Sequence, residues 1–193
     1  MPEPDNWLDR WLEEIVNISA EKSILELGCG EGRDTQLLCE AGLRVVGLDK
    51  SKDAIAVALK KNLDCCFHID DIRSDFPDVG KSYPVIIASL CLHYFEWEET
   101  LGIAMKMHAS LEDDGLLFVR VNATDDINYG AIGYPEIESN YYHVNGKTKR
   151  FFDMDALDRL FPEEKWNTLL KEEKTIHRYE KPKAVWELVL SNR

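Results

Sequence analysis

The sequence predicts an α/β fold in which a doubly wound, mostly parallel seven-stranded sheet ends in an antiparallel hairpin. Short apolar segments alternate with longer amphipathic ones from residue 7 to residue 121. This alternation is typical of parallel strands that are covered by helices on both faces. Near the end of the chain two further strands follow each other too closely for a crossover helix, so we expect them to pair antiparallel.

Each element is predicted from its own pattern of apolar residues. Trp7, Trp11 and Ile15 share one face of an N-terminal helix because they recur at helical spacing. Further helices are expected at 34–41, 52–61, 97–110 and 155–161, the last ended by Pro162. Strands are expected at 23–27, 44–48, 65–69, 85–89, 115–121, 171–177 and 184–190.

The segment 122–152 departs from this alternation. It is long and irregular, with turn-forming residues at Gly130, Gly133, Pro135 and Gly146 and with many aromatic side chains. Loops of this length in a compact domain are usually functional or disordered, and the aromatic content argues against disorder. We therefore expect a substrate lid or pocket wall at the carboxyl edge of the sheet, within a single domain that spans 1–193.

Charge and composition exclude several classes of protein. The net charge of −13 argues against nucleic acid and anionic membrane surfaces as partners, since both require clustered lysine and arginine. No apolar run is long enough to span a membrane, and no signal peptide is recognised. We expect a cytoplasmic protein, either a monomer or a homodimer.

The cysteines and histidines predict no metal site. Five cysteines occur, an odd number without a C-x-x-C pair, and neither they nor the five histidines show zinc-ligand spacing. Free and mostly buried thiols in a reducing compartment are therefore expected. The neighbours Cys65 and Cys66 would point to opposite faces of a strand, which favours packing over joint chelation.

The residues that carry chemistry begin at a glycine-rich turn. The segment ILELGCGEGRD, residues 24–34, follows a predicted strand and opens a predicted helix. Glycine permits the tight turn and lets the backbone approach a ligand closely. The spacing is G-x-G-x-G with Arg33 next, so the last glycine of the dinucleotide fingerprint is missing.

Two acidic residues indicate which ligand this turn binds. Glu26 lies beside the turn, where a carboxylate would repel a pyrophosphate but would attract an ammonium or a sulfonium group. Asp49 ends the second strand, 21 residues after Gly28, where an acid can accept hydrogen bonds from both ribose hydroxyls. Adenosine joined to a cationic amino acid fits this pattern better than NAD.

The motifs resemble those of the class I S-adenosylmethionine-dependent methyltransferases. Residues 24–34 resemble the first motif, VVGLD at 45–49 the second, DDIR at 70–73 the third, SLCLHYF at 89–95 the fourth and LEDDGLL at 111–117 the strand-five turn. The order and spacing of these motifs match the family over residues 23–121, and the antiparallel hairpin extends the match to the end of the chain. The segments 32–35 and 90–95 are especially similar to the small-molecule branch that includes tellurite-resistance-type methyltransferases. The resemblance implies a Rossmann-like fold and S-adenosylmethionine as cofactor.

The resemblance also implies a role for individual residues. The methionine end of the cofactor would be held by Glu26, Gly28, Gly30 and Arg33, with Ser89 near the methyl group. Asp49 would hold the ribose, with Lys50 beside it, and Asp71 and Ile72 would frame the adenine. One position departs from the family pattern. The run Tyr83-Pro84-Val85 lacks the acid that often opens the fourth strand.

Residues around the acceptor follow less directly from the motifs. His93 and Tyr94 come after the fourth strand and are candidate catalytic residues, although His93 is equally consistent with a packing role. Tyr94, Tyr134, Tyr142, His143 and Arg150 are candidate substrate residues, with a structural salt bridge as the favoured alternative for Arg150.

The expected reaction is methyl transfer to a small-molecule acceptor by in-line displacement. Two alternatives remain from the sequence. One is a catalytically inactive S-adenosylmethionine-binding or adaptor protein, because intact binding motifs do not establish turnover. The other is an NAD-dependent dehydrogenase, which the missing glycine, Glu26 and the antiparallel hairpin disfavour.

Overall fold

The computed structural model describes residues 5–61, 65–77 and 82–193. The helices are α1 (Leu12–Ser19), α2 (Arg33–Glu40), α3 (Lys52–Lys60), α4 (Trp97–Ser110) and α5 (Met154–Leu160). The strands of the main sheet are β1 (Ser23–Leu27), β2 (Arg44–Asp49), β3 (Cys66–Ile69), β4 (Tyr83–Ser89), β5 (Leu111–Asn122), β9 (Trp166–Ile176) and β10 (Lys183–Asn192). Three short strands, β6 (Glu136–Glu138), β7 (Tyr141–Val144) and β8 (Lys147–Arg150), form a second sheet.

The main sheet has the order β3-β2-β1-β4-β5-β10-β9. Its first five strands pair in parallel, and β10 runs antiparallel to both β5 and β9. The strand order reverses between β1 and β4, which is where ligands bind in open α/β sheets. The predicted doubly wound, seven-stranded sheet with a C-terminal antiparallel hairpin is confirmed.

Neighbouring residues of each central strand point to opposite faces, so the sheet has an apolar core on both sides. Ile24 packs on the side of Ile15 from α1, whereas Leu25 packs on the side of Met107 from α4. This two-sided burial explains why the central strands read as nearly continuous apolar runs. Among the described residues no helix is long and apolar enough to cross a lipid bilayer.

Four predicted elements differ from the structure. The N-terminal stripe is split between a short 3₁₀ turn, Asp9–Trp11, and α1. The strand predicted at 115–121 begins at Leu111, and the strand predicted at 171–177 begins at Trp166. The segment 122–152, expected to be irregular, contains the three-stranded antiparallel sheet, which its turn residues Asn140, Asn145 and Gly146 make possible by adopting positive φ.

The expectation that all five cysteines are free is wrong. Cys39, near the end of α2, forms a disulfide with Cys65, immediately before β3. The two residues are 26 positions apart and are brought together by the packing of α2 beside the sheet, which the sequence spacing does not reveal. The remaining thiols are free, with Cys29 and Cys91 buried and Cys66 exposed.

Candidate cofactor and acceptor site

The glycine turn connects β1 to α2 at the carboxyl edge of the sheet. Gly28 has φ +66°, a conformation that L side chains rarely adopt. A Cβ atom at Gly28 would lie 2.4 Å from the Cβ atom of Cys91, so a side chain has no space there. The amides of Gly28 and Cys29 donate to the carbonyl of Leu48 at 2.7 and 3.1 Å, which fixes the turn against the end of β2.

Glu26 is a buried carboxyl group at the base of this turn, only 3% exposed. Its carboxylate accepts a hydrogen bond from the Thr35 hydroxyl. Burial, and then the neighbouring carboxylate of Asp34, raise the pKa of Glu26 to about 8. Within the described ranges no lysine, arginine or histidine forms a salt bridge with Glu26. A cationic ligand placed beside it would therefore supply charge compensation that the described residues do not provide.

Asp49 lies where β2 ends and is held by the backbone on both sides. Its Oδ2 accepts a hydrogen bond from the amide of Gly30 at 2.8 Å, and its Oδ1 accepts one from the amide of Ser51 at 2.8 Å. The Ser51 hydroxyl in turn caps α3 by accepting from the amide of Ala54. Asp49 is thus oriented by the glycine turn and by the start of α3.

Two adjoining cavities, of about 460 and 660 Å³, open at this edge of the sheet. Glu26, Arg33 and Ser89 line the first cavity; Asp49, Lys50, Asp71 and Ile72 line the second; Gly28, Gly30, Leu90 and Tyr94 line both. Every residue that the family resemblance assigns to the cofactor therefore faces one of the two cavities, although these residues come from separate loops along the chain.

Asp71 is strongly paired in the second cavity. Arg73 donates to both carboxylate oxygens of Asp71, from Nε at 3.0 Å and from its terminal nitrogen at 2.8 Å, and also donates to Glu99. The hydrogen bonds from Arg73 hold the pKa of Asp71 at about 2, well below its usual range. Asp71 is therefore ionised at neutral pH, and its orientation is set by Arg73.

His93 and Tyr94 lie in a short 3₁₀ turn after β4, with their ring centroids 4.1 Å apart. His93 is 4% exposed, and burial lowers its pKa well below the usual value, so the imidazole is neutral at pH 7. Its Nδ1 has no hydrogen-bond partner in the described part of the chain. His93 lines the first cavity, and Tyr94, which is 40% exposed, lies between the two cavities.

The candidate substrate residues do not all reach these cavities. His143 lines the second cavity, but Tyr134, Tyr142 and Arg150 line neither. Arg150 is buried and points into the protein, where it pairs with Glu138. Arg150 therefore has the position of a structural salt bridge, and it contacts neither cavity. Tyr142 packs on Phe151, which holds its ring on the small sheet.

The structure brings cationic and aromatic residues to the first cavity that the sequence did not single out. They are Tyr129, Lys149, Arg178, Tyr179 and Lys183. They come from the segment 122–152, from the connection between β9 and β10 and from the first residue of β10, so they include residues that lie far apart in the sequence. Lys147 and Lys149 are two positions apart on β8, so they lie on the same face of the strand. This spacing is the local signal that could have indicated lysines facing the cavities.

Arg120 belongs to strand β5. It lies within the β5–β10 ladder opposite Glu187 and is fully buried. Its guanidinium donates to both carboxylate oxygens of Asp5, at 2.8 and 3.2 Å, and lies over the ring of Trp7. Because Trp7 Nε1 donates to Asp34 at 3.0 Å, this cluster supports the wall of the first cavity at α2.

Residues 24–115 match a family model described as a methyltransferase domain. An uncharacterized methyltransferase of Staphylococcus carnosus is 36% identical over 110 residues, which cover 56% of this chain and 50% of the relative. A trans-aconitate 2-methyltransferase of Delftia acidovorans is 31% identical over 109 residues, covering 55% of this chain and 40% of the relative. The matched region thus spans half or less of the length of these curated relatives.

Solved structures agree with the fold. An S-adenosylmethionine-dependent methyltransferase of Methanosarcina mazei superposes with a TM-score of 0.75 at 16% identity, covering 92% of this chain and 96% of the other. TehB of Haemophilus influenzae superposes with a TM-score of 0.69 at 16% identity, covering 98% of this chain and 64% of the other. The resemblance expected from the motifs is supported: residues 24–115 match a methyltransferase domain, and the chain shares the fold of S-adenosylmethionine-dependent methyltransferases.

Proposed function

We propose that this chain transfers the methyl group of S-adenosylmethionine to a small-molecule acceptor by in-line displacement, as a single domain with the segment 122–152 as its substrate lid. One observation carries the proposal: two cavities meet at Gly28, Gly30, Leu90 and Tyr94. The residues assigned to the cofactor are spread over both cavities, whereas His93 lines only the first. This leaves space in the first cavity for an acceptor beside the cofactor.

The residues present fit the cofactor. Glu26 is a buried acid without a salt-bridge partner in the described ranges, which suits the cationic methionyl end of the cofactor. Gly30 keeps the backbone bare on the open side of the turn, where an added Cβ atom would have no heavy atom within 4 Å, and so leaves room for a ligand against the turn. Asp49 presents a carboxylate whose direction is set by two amides, as binding of paired ribose hydroxyls requires.

The other predicted residues complete this assignment as part of the proposal. Arg33 would bind the methionine carboxylate at the start of α2, where the helix dipole also favours an anion. Lys50 would lie beside the ribose, Asp71 and Ile72 would frame the adenine, and Ser89 would lie near the sulfonium. Asp71 is suited to this position because Arg73 fixes its carboxylate.

S-adenosylmethionine supplies a methyl group already activated on a sulfonium, so the residues mainly orient the acceptor and exclude water. A lone pair of the acceptor forms the new bond to the methyl carbon while the carbon–sulfur bond breaks and its electrons remain on sulfur. An acceptor that enters as an anion needs no base. An acceptor that carries a proton on the attacking atom can release it to His93, whose imidazole is neutral at pH 7.

Support for a small acceptor comes from the cavity and from charge. The first cavity, about 460 Å³, has the size typical of small-molecule sites. The net charge of −13 disfavours nucleic acid and anionic lipid as acceptors. The names of two relatives specify different acceptors, trans-aconitate and the N-terminus of cypemycin, so the family resemblance does not select one.

The test is calorimetric titration with S-adenosylmethionine, S-adenosylhomocysteine and NADH. We expect both adenosyl ligands to bind, and Asp49→Ala to weaken them at least about 10-fold, or 1.4 kcal/mol. Asp53→Ala is the matched control, because Asp53 is an exposed acid on α3 that lines neither cavity. Absence of adenosyl-ligand binding would overturn the proposal, and NADH binding would favour the dehydrogenase alternative. Cofactor binding without methyl transfer to any acceptor would favour the inactive binding protein.

A further inference from the structure

Three cationic side chains converge on one end of the first cavity. Lys149 comes from β8, Lys183 begins β10, and Arg178 lies in the connection between β9 and β10. The rings of Tyr129 and Tyr179, with centroids 5.7 Å apart, line the same end. This concentration of positive charge is local, because the chain as a whole carries 36 acidic and 23 basic residues.

Two of these cations have carboxylate partners. Lys183 is buried and pairs with Asp126 at 3.3 Å, and Arg178 donates to Asp5 at 3.0 Å. Neither Asp126 nor Asp5 lines the cavity. Lys183 and Arg178 therefore each have a carboxylate partner, and Arg178 shares its partner with Arg120.

Lys149 differs from these two residues. Its ammonium group donates to the carbonyl of Tyr129 at 3.2 Å, and it forms no salt bridge with a carboxylate among the residues that the structure describes. Half-buried cations without an anionic partner are unfavourable, because burial removes water without replacing its interactions. Burial lowers the pKa of Lys149; the carboxylate of Asp126 opposes this shift, and the ammonium group of Lys147 adds to it.

His93 provides a second, independent observation. Its buried Nδ1 lacks a hydrogen-bond partner among the described residues although His93 lines the same cavity. Buried polar atoms are normally satisfied, so an unsatisfied one in a residue that lines a cavity indicates a missing partner. Lys149, without a carboxylate partner among the described residues, and His93, with an unsatisfied Nδ1, thus line the same cavity.

We propose that the methyl acceptor carries a carboxylate that binds at Lys149, beside Lys183, with the rest of the molecule between the tyrosine rings and His93. This inference rests on the proposed function and names the acceptor class for that site. A carboxylate fits better than a phosphate, because Lys149 is the one cation of these three without a salt bridge to a described residue, and a phosphate carries between about one and two negative charges. Ammonium groups bind carboxylates through charge-assisted hydrogen bonds, and such a bond would satisfy Lys149.

The test measures binding to the protein that has been saturated with S-adenosylhomocysteine. Three acids are titrated, benzoate, salicylate and succinate, each against its own carboxamide, together with inorganic phosphate. We expect at least one acid to bind 10-fold or more tightly than its amide. Lys149→Gln should weaken that acid roughly 10- to 100-fold, the loss of one charge-assisted hydrogen bond, and Lys149→Arg should restore most of it.

The control variant is Lys181→Gln, which removes one positive charge from an exposed residue that lines neither cavity. It should leave acid binding unchanged, since the charge of an exposed side chain is screened by water and salt. Thermal unfolding of each variant checks that it folds.

The outcomes separate this inference from the proposed function. If wild-type protein fails to bind S-adenosylhomocysteine, the proposed function is wrong. If it binds, but no acid is preferred over its amide, or phosphate alone binds, the carboxylate inference is wrong. If Lys149→Gln weakens S-adenosylhomocysteine as much as the acid, Lys149 holds the cofactor and the inference is again wrong.

Discussion

Substitution of Gly28 by alanine tests the packing of the glycine turn directly. The added Cβ atom would lie 2.4 Å from Cys91 Cβ, and it would be forced into a left-handed conformation at φ +66°. The left-handed conformation costs about 1–2 kcal/mol, and the overlap with a buried neighbour costs a further ~1–3 kcal/mol. We therefore expect Gly28→Ala to lower the free energy of unfolding by about 2–5 kcal/mol.

Gly30→Ala is the matched control. Gly30 also has a positive φ, +53°, but its Cβ would have no heavy atom within 4 Å. Only the backbone term then applies, about 1–2 kcal/mol. The difference between the two variants, ~1–3 kcal/mol, isolates the contact with Cys91.

Urea denaturation measures this difference. With an m value of roughly 2 kcal/mol/M, the midpoint of Gly28→Ala should lie about 0.5–1.5 M below that of Gly30→Ala. Cys91→Gly removes the opposing Cβ atom, so the double variant should be less destabilised than the sum of the single variants. Equal losses for Gly28→Ala and Gly30→Ala, together with additivity in the double variant, would refute this explanation of the turn.

Three further predictions concern the buried acid Glu26, the buried cation Arg120 and the helix cap Asp153. A bound cation favours the ionised form of Glu26, so binding of S-adenosylmethionine at pH 7 should release a proton. The affinity for S-adenosylmethionine should rise with pH until the pH passes the raised pKa of about 8. Calorimetry in buffers of different ionisation enthalpy should show the proton release in wild-type protein and its absence in Glu26→Gln. The contribution of Glu26 to the free energy of unfolding should change with pH in the opposite direction. Because the pKa of Glu26 is raised in the folded protein, this contribution is present at low pH and is lost as the pH rises through about 8. Arg120→Met should destabilise the protein by about 1–3 kcal/mol, because the buried carboxylate of Asp5 loses two hydrogen bonds and keeps only Arg178, whereas Arg44→Met, on an exposed pair, should cost less than about 1 kcal/mol; similar losses for both in chemical denaturation would contradict the role of the buried pair. Asp153→Ala removes the side-chain cap of α5 and should cost about 1 kcal/mol in thermal unfolding, while Asp155→Ala, inside the same helix, should cost less; the reverse order would show that the cap is unimportant.

Several features of this protein follow from short stretches of sequence. The glycine turn, the acids that end β1 and β2, and the apolar strands are local patterns, because strand periodicity and positive-φ turns depend on a few neighbouring residues. A parallel sheet also places the carboxyl ends of its strands at one edge. The nine residues assigned to the cofactor could therefore be selected before the structure was known, and all of them face the two cavities.

Other features depend on which distant segments meet. The sequence around Arg120 does not show whether this arginine is exposed or buried. It is buried because Asp5 and Trp7, from the other end of the chain, contact its guanidinium group. Tyr134 and Arg150 share a segment with Lys149, but the pairing of β7 with β8 turns Lys149 towards the cavity and Arg150 into the protein.

The acceptor end of the cavity shows the same division. Lys149 and Lys183 are separated by more than thirty positions, and no local pattern relates them. They meet because the small sheet and the start of β10 both lie at the carboxyl edge of the main sheet. Local sequence therefore determined the fold and the cofactor turn, whereas only tertiary packing decided which charges face the acceptor, since long-range contacts are not encoded in the spacing of neighbouring residues.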